Sequence, residues 1–181
     1  MRIAVLSDPN NFHTQKWVKA LQKAGAEVIV MSFDAPIDCD FPAIQLEPPI
    51  GRGKGYSYLD YLRGGSVLKK ALKTHRIEVL NPLNITPFGV WATQSEFHPV
   101  VACAFGADIL EYPPDYRRSS SAQGRGWDSL TKANGPWQRW KTQVKYRFFR
   151  NQVAKALRNA DFITGDNQFL VDCMAEWYSV P

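Results

Sequence analysis

The sequence predicts an α/β fold, a doubly wound, mostly parallel Rossmann-like sheet with helices on both faces. Three observations predict it. Ile3 to Leu6 and Val28 to Met31 are unbroken apolar runs of the kind carried by strands covered on both faces. Between them Trp17, Val18, Leu21 and Ala24 recur at helical spacing with Gly25 as the C-cap, so residues 2 to 33 read as a βαβ unit. The remaining chain repeats the alternation of short apolar runs with amphipathic stretches, which favours parallel strands over hairpins. With 181 residues and 45% hydrophobic content the chain has room for a real core, and residues 1–181 read as one domain.

The polar run Ser7 to Asn11 ends the first strand. Ligands of open parallel sheets bind beyond the carboxyl ends of the strands, which places the turn from Asp8 to Thr14 in the site. That turn has neither the G-x-G-x-x-G of a dinucleotide binder nor the G-x-x-x-x-G-K-S/T of a phosphate loop, which weakens a nucleotide-dependent oxidoreductase reading. Phe41, Ala43, Ile44 and Leu46 predict a short third strand ended by Pro48-Pro49. Residues 51–65, GRGKGYSYLDYLRGG, hold five glycines and read as a flexible basic connection. Gly51, Gly53 and Gly55 could wrap an anion, but no helix start follows directly, so a mobile surface loop is the favoured reading.

Ser66 then caps a helix through Val67, Leu68, Ala71, Leu72 and His75, and Ile77 to Leu80 predicts a fourth strand. Asn81 to Pro87 is the turn leaving it, and Phe88 to Ser95 a short helix. Pro99 to Phe105 predicts a fifth strand that delivers Gly106, Ala107 and Asp108 to the ligand edge. Glu111 to Gly135, rich in Pro, Arg, Ser and Gly, reads as a long loop, a length usually reserved for functional lids or disorder. A long helix follows from Pro136 to Ala160, then a sixth strand at Phe162 to Thr164. Asp166 or Asn167 caps a last helix whose buried side carries Phe169, Leu170, Cys173, Met174 and Trp177.

Charge is concentrated in one segment. Arg117 to Arg158 holds eleven Lys/Arg and one acid, Asp128, a balance of +10 within a chain of net charge +5. The long helix inside this segment has two apolar stripes roughly opposite each other: Trp137, Trp140, Val144 and Phe148 on one, and Tyr146, Phe149, Val153 and Leu157 on the other. Only one can face the domain's own core. Trp137 and Trp140 with Arg139, Lys141 and Lys145 could lie on an anionic bilayer. They could instead bind an acidic glycan or the phosphates of a nucleic acid, or cover the preceding loop. An anionic membrane surface is the partner expected for this face, with no nucleic acid. Cys39, Cys103 and Cys173 are widely spaced without a C-x-x-C pair, which suggests neither a disulfide framework nor a zinc site. No stretch approaches the ~20 apolar residues of a membrane span, and the opening apolar run is too short for a secretion signal. A cytoplasmic protein, peripheral at the inner face of the membrane, is the expectation.

The site candidates follow from the predicted ligand edge. Asp108 could accept a hydrogen bond from a substrate hydroxyl or act as its base, or it could be a turn acid capping nearby amides. His13 could donate to a sugar or phosphate, or bond within the first helical turn. Asn10 and Asn11 occupy the first turn and Gly106 the fifth; Asn81 and Asn84 could bind hydroxyls, although Asn before Pro is also a standard turn former.

Several stretches together resemble a known family. The opening SDPNNFHTQKWVKALQKAGAEVIVMS, the segment TPFGVWA, the run PVVACAFGADIL and the closing NADFITGDNQFLVDCMAEWYSVP stand in the order seen in the N-terminal domain of GT-B, retaining, nucleotide-sugar-dependent glycosyltransferases of the group 1 or family 4-like kind. The resemblance spans nearly the whole chain, and its strength lies in joint order and spacing. It implies one half of a GT-B fold, an N-terminal domain that holds the acceptor, and a C-terminal domain that holds the nucleotide-sugar donor. That donor domain, with its E-x-x-x-x-x-x-x-E pair, is expected to be absent from this chain, so no cofactor or metal is expected here and the isolated domain is expected to be inactive. The partner implied is a hydroxyl acceptor, a glycolipid or polysaccharide precursor. The chain departs from the family in three places: Asn10 and Asn11 stand where glycines often do, Asn81 and Leu83 stand where the fourth strand commonly ends in His-x-His, and Gly106-Ala107-Asp108-Ile109 lacks the hydroxyl of the Gly-Ser/Thr-Asp-Ile/Leu turn. The rival reading is a non-catalytic ligand- or partner-binding module on the same scaffold.

Overall fold

In the computed structural model, residues 1–37, 39–47, 58–110 and 135–180 are described, without the side chains of Tyr58, Leu59 and Arg139. Among them six strands form, and every pairing between them is parallel. The apolar run Arg2–Leu6 (β1) sits between Glu27–Ser32 (β2) and Val79–Pro82 (β4), with Ala43–Gln45 (β3) beyond β2. Val101–Ala104 (β5) pairs with Phe162–Gly165 (β6). Parallel bridges at Leu80–Val100 and Leu83–Cys103 lay β5 beside β4, so the lateral order runs β3-β2-β1-β4-β5-β6. This is the doubly wound order in which ligands bind where the winding reverses, at the tips of β1 and β4.

Side-chain alternation sorts each strand onto two faces. Ile3, Val5, Val28 and Val30 pack with Val18 of the helix Phe12–Lys23 (α1). Ala4, Leu6, Ile29 and Met31 pack on the other face with Leu68 and Leu72 of Tyr58–Thr74 (α2) and Trp91 of Val90–Gln94 (α3). Ala102 and Ala104 of β5 join Ile109 of the short helix Gly106–Leu110 (α4), Val153 and Leu157 of Pro136–Asn159 (α5), and Leu170 of Gln168–Tyr178 (α6). Cys103, between those two alanines, turns to the α1 side.

Several expectations need correction. The helix expected from Ser66 begins at Tyr58 and runs through Gly64 and Gly65. Those glycines are a packing device: a Cβ at Gly64 would overlap the Trp91 ring, and one at Gly65 would overlap Gln94, so α2 and α3 meet only without side chains there. Gly51, Gly53 and Gly55, the Pro48-Pro49 stop and the loop 111–134 lie outside the described residues. Asn81 belongs to β4 rather than to the turn after it, because it pairs with Val5. Gly106 to Leu110 is one helical turn. The edge strand β6 is not buried throughout, since it has a neighbour on one side only; Phe162 is 68% exposed. In α6 Asn167 is the N-cap, and Tyr178 is buried in place of Phe169, which is 61% exposed.

The two stripes of α5 separate as their chemistry requires. Phe149, Val153 and Leu157 are buried, whereas Trp137 and Trp140 are 63% and 53% exposed and stack on each other at 4.9 Å and 14°. No described helix is long and apolar enough to cross a membrane.

Candidate functional site

The turn after β1 is built from its own polar residues. Ser7 Oγ and Thr14 Oγ1 are hydrogen-bonded at 2.8 Å and buried, which fastens the turn to the first helical turn of α1. Asn11 is the N-cap, its side chain accepting from the His13 amide at 2.8 Å. Asn10 is committed elsewhere: its Nδ2 donates to Ala35 O at 3.0 Å and its Oδ1 accepts from Ile37 N at 2.7 Å, tying this turn to the one after β2. The cap thus places His13 on the first turn of α1, its ring 6.3 Å from that of Phe105 and 6.0 Å from that of Phe12.

The end of β4 divides its two asparagines between structure and surface. Asn81 is buried; its Oδ1 accepts from Trp17 Nε1 at 2.7 Å, while its Nδ2 donates to Val101 O and to Cys103 Sγ. It therefore joins α1, β4 and β5. Asn84 turns the chain at φ +85°, holds β5 through its backbone amide on Cys103 O, and opens the kinked turn Ile85–Gly89, in which Thr86 is extended. Its side chain makes no capping bond and faces a cavity.

Asp108 is buried, and its carboxylate accepts from the backbone amides of Ile85 at 2.9 Å, Thr86 at 3.4 Å and Phe105 at 3.4 Å. The bond back to Phe105 is the one an acid makes in the first turn of a short helix to cap it. This geometry matches the capping alternative for Asp108. Gly106 precedes it in α4 and has open space where a Cβ would stand, with only Leu110 Cδ1 at 3.9 Å.

Two cavities meet at the carboxyl tips of the strands. One of about 510 Å³ is lined by Ser7, Asn11, His13, Thr14, Leu83, Asn84, Phe105 and Asp166. The other, about 410 Å³, lies between α1 and the β5-β6 pair and is lined by Lys16, Trp17, Ala20, Cys103, Ala104, Thr164 and Gly165, with His13, Phe105 and Asp166 common to both. They form one crevice, and Cys103 turned to the α1 side is part of its wall. Of the residues singled out from the sequence, Asn11, His13 and Asn84 line it, and Asn10, Asn81, Gly106 and Asp108 do not. Trp137, Trp140, Lys141 and Lys145 do not line it, and the side chain of Arg139 lies outside the described residues.

Asp166 is the site residue that sequence reasoning missed. It follows the last residue of β6, the same position relative to a strand that marked Asp8 to Thr14, but it reads equally as a helix cap. Asn167 takes that cap, accepting from Leu170 N at 3.0 Å, and leaves Asp166 exposed at the crevice. An imidazole, an amide and a carboxylate around one cavity can hydrogen-bond a polyhydroxyl ligand and accept a proton from it. At the other end of β6, Asp161 is held below the ordinary carboxylate range by the Val100 amide at 2.7 Å and then by His98 at 2.8 Å. Burial, and then nearby Glu176 and Asp172, push the Cys173 thiol up.

Comparison with known proteins gives three findings. The sequence model described as glycosyl transferase 4-like matches residues 2–128. No curated protein matches. Among solved structures, sucrose-phosphate synthase from Thermosynechococcus elongatus superposes with a TM-score of 0.62 at 14% identity, covering 98% of this chain and 45% of that one. MurG from Acinetobacter baumannii gives 0.44 at 16%, covering 57% and 34%, and UDP-GlcNAc 2-epimerase from Methanocaldococcus jannaschii gives 0.40 at 11%, covering 97% and 48%. The chain spans less than half the length of each of these structures.

Proposed function

This chain belongs to the glycosyl transferase 4-like family and has the fold of the N-terminal domain of a GT-B glycosyltransferase, and from that premise we propose that it is the acceptor-binding domain of an enzyme that moves a sugar, with retention, from a nucleotide-sugar to a hydroxyl of a glycolipid or polysaccharide precursor. The observation that carries this reading is the crevice at the tips of β1, β4, β5 and β6, where His13, Asn84 and Asp166 surround one cavity. The turn after β1 carries no glycine-rich phosphate loop, which supports an acceptor role over a nucleotide-binding one for this edge. His13 and Asp166 are the groups placed to hold the attacking hydroxyl, and Asn84 to orient the acceptor.

The exposed face of α5 supports an acceptor presented at an anionic bilayer. Trp137 and Trp140 offer aromatic rings at the surface, and Lys141 Nζ lies 5.0 Å from the Trp137 ring centroid within a segment of net +10. Sedimentation with neutral and anionic vesicles tests this part: binding confined to anionic vesicles is expected, and equal binding to both removes the electrostatic contribution.

Calorimetric titration tests the main reading. Methyl glycosides should bind the 181-residue chain weakly and saturably, and UDP-glucose and GDP-mannose should not bind. Tight binding of a nucleotide-sugar with none of any glycoside would contradict it. The second reading, a binding module without catalysis, is favoured by one residue: Leu83, buried at the crevice, stands where family members commonly carry a histidine.

A further inference from the structure

We infer that the acceptor is amphiphilic, with an apolar group attached close to the hydroxyl that receives the sugar. This deepens the acceptor-domain reading and rests on it. The crevice is chemically divided. Around the larger cavity stand hydroxyl, amide, imidazole and carboxylate groups, whereas the smaller is walled largely by Trp17, Ala20, Ala104 and Phe105, together with Lys16 and Thr164. His13, Phe105 and Asp166 line both, so a ligand whose hydroxyl meets His13 or Asp166 has an apolar wall within one residue's reach on the α1 side.

The apolar half is built to stay in place. Trp17 Nε1 is bonded to the Asn81 side chain at 2.7 Å, and Asn81 is itself held by Val101 O and Cys103 Sγ. The indole is therefore pinned before any ligand arrives, and a fixed wall loses little rotamer freedom on binding. Its space exists because α1 covers β1 and β2 while the same face of β5-β6 shows Cys103 and Thr164 to the cavity. An alkyl or polyisoprenyl group against this wall would exclude water from it at the hydrophobic increment per methylene.

The test is a pair of NMR titrations with the 181-residue chain, using methyl and n-octyl glycosides of glucose, galactose, mannose and N-acetylglucosamine, the octyl forms kept below their micelle concentrations. For at least one sugar the octyl form should bind about tenfold or more tighter than the methyl form, the factor that two buried methylenes yield. Both should shift His13, and only the octyl form should shift Trp17. In Ala20→Glu, at an exposed position on that wall, the octyl advantage over the methyl form should vanish. Equal affinity of the two forms, or an octyl advantage that survives Ala20→Glu, overturns the amphiphilic inference and leaves the acceptor reading standing. No shift at His13 with any of the eight glycosides overturns both.

Discussion

After β1 the chain passes Ser7 to Asn11 into α1 and leaves the His13 ring at the crevice; after β5 it passes Phe105 into α4 and folds Asp108 inward onto three backbone amides. Both turns end strands at the same edge of one sheet. The difference comes from how each turn satisfies its helix. Asn11 caps α1 with its own side chain, so the next residues are free for other work. Phe105 has no polar side chain to cap α4, and Asp108 supplies one bond to that helix while holding the amides of Ile85 and Thr86 in the turn after β4. A polar residue at the ligand edge is available for chemistry only when the backbone around it is already satisfied.

The largest test of this contrast is Asp108→Ala. It removes the acceptor of three amide bonds in a buried place and should cost about 3 kcal/mol of stability in chemical denaturation. A loss under about 0.5 kcal/mol would return Asp108 to the list of candidate bases. Asn81→Ala should cost roughly 2 kcal/mol by leaving Trp17 Nε1 and Val101 O without their partner, and should weaken octyl-glycoside binding more than methyl-glycoside binding. His13→Ala inverts the pattern: stability should stay within about 0.5 kcal/mol while glycoside affinity falls by about tenfold, the effect of one lost hydrogen bond.

A smaller effect lies at the far end of β6. Asp161, held low by the Val100 amide and by His98, contributes stability that is present above the ordinary carboxylate range and is lost as pH falls through its depressed value. Asp161→Asn should therefore lower Tm at neutral pH and flatten the acid side of the Tm profile below about pH 4. Its exposure and solvent screening limit the shift to at most about 3 °C. The smallest effect concerns the thiols. Cys39, partly exposed, should react first with a maleimide at neutral pH, and Cys173, buried with its thiol pushed up, should react only on unfolding.

The strands were legible because β1 and β2 are apolar runs whose burial on both faces leaves few alternatives, and the parallel order followed from the alternation with helices. The start of α2 was not legible. Gly64 and Gly65 carry the local signal of a loop, and only the approach of Trp91 and Gln94 explains them. The site was legible as an edge rather than as a set of side chains. His13 and Asn84 are where strand-tip reasoning puts them. The same reasoning applied to β6 reaches Asp166, which was hidden because Asp and Asn are equally good caps and only the bond from Asn167 to Leu170 N decides between them. The bonds that hold Asn81 and Asp108 could not be read from residue type, since they run to partners distant in sequence, Trp17 and Ile85.

The most direct test of the central claim is a crystal structure of the chain soaked with the glycoside that binds best. The account predicts a sugar hydroxyl within hydrogen-bond distance of His13 or Asp166, the pyranose ring beside Asn84, and any alkyl group against Trp17. A glycoside seated on the exposed face of α5, or reached only through the Gly106 to Asp108 turn with the crevice vacant, would contradict it.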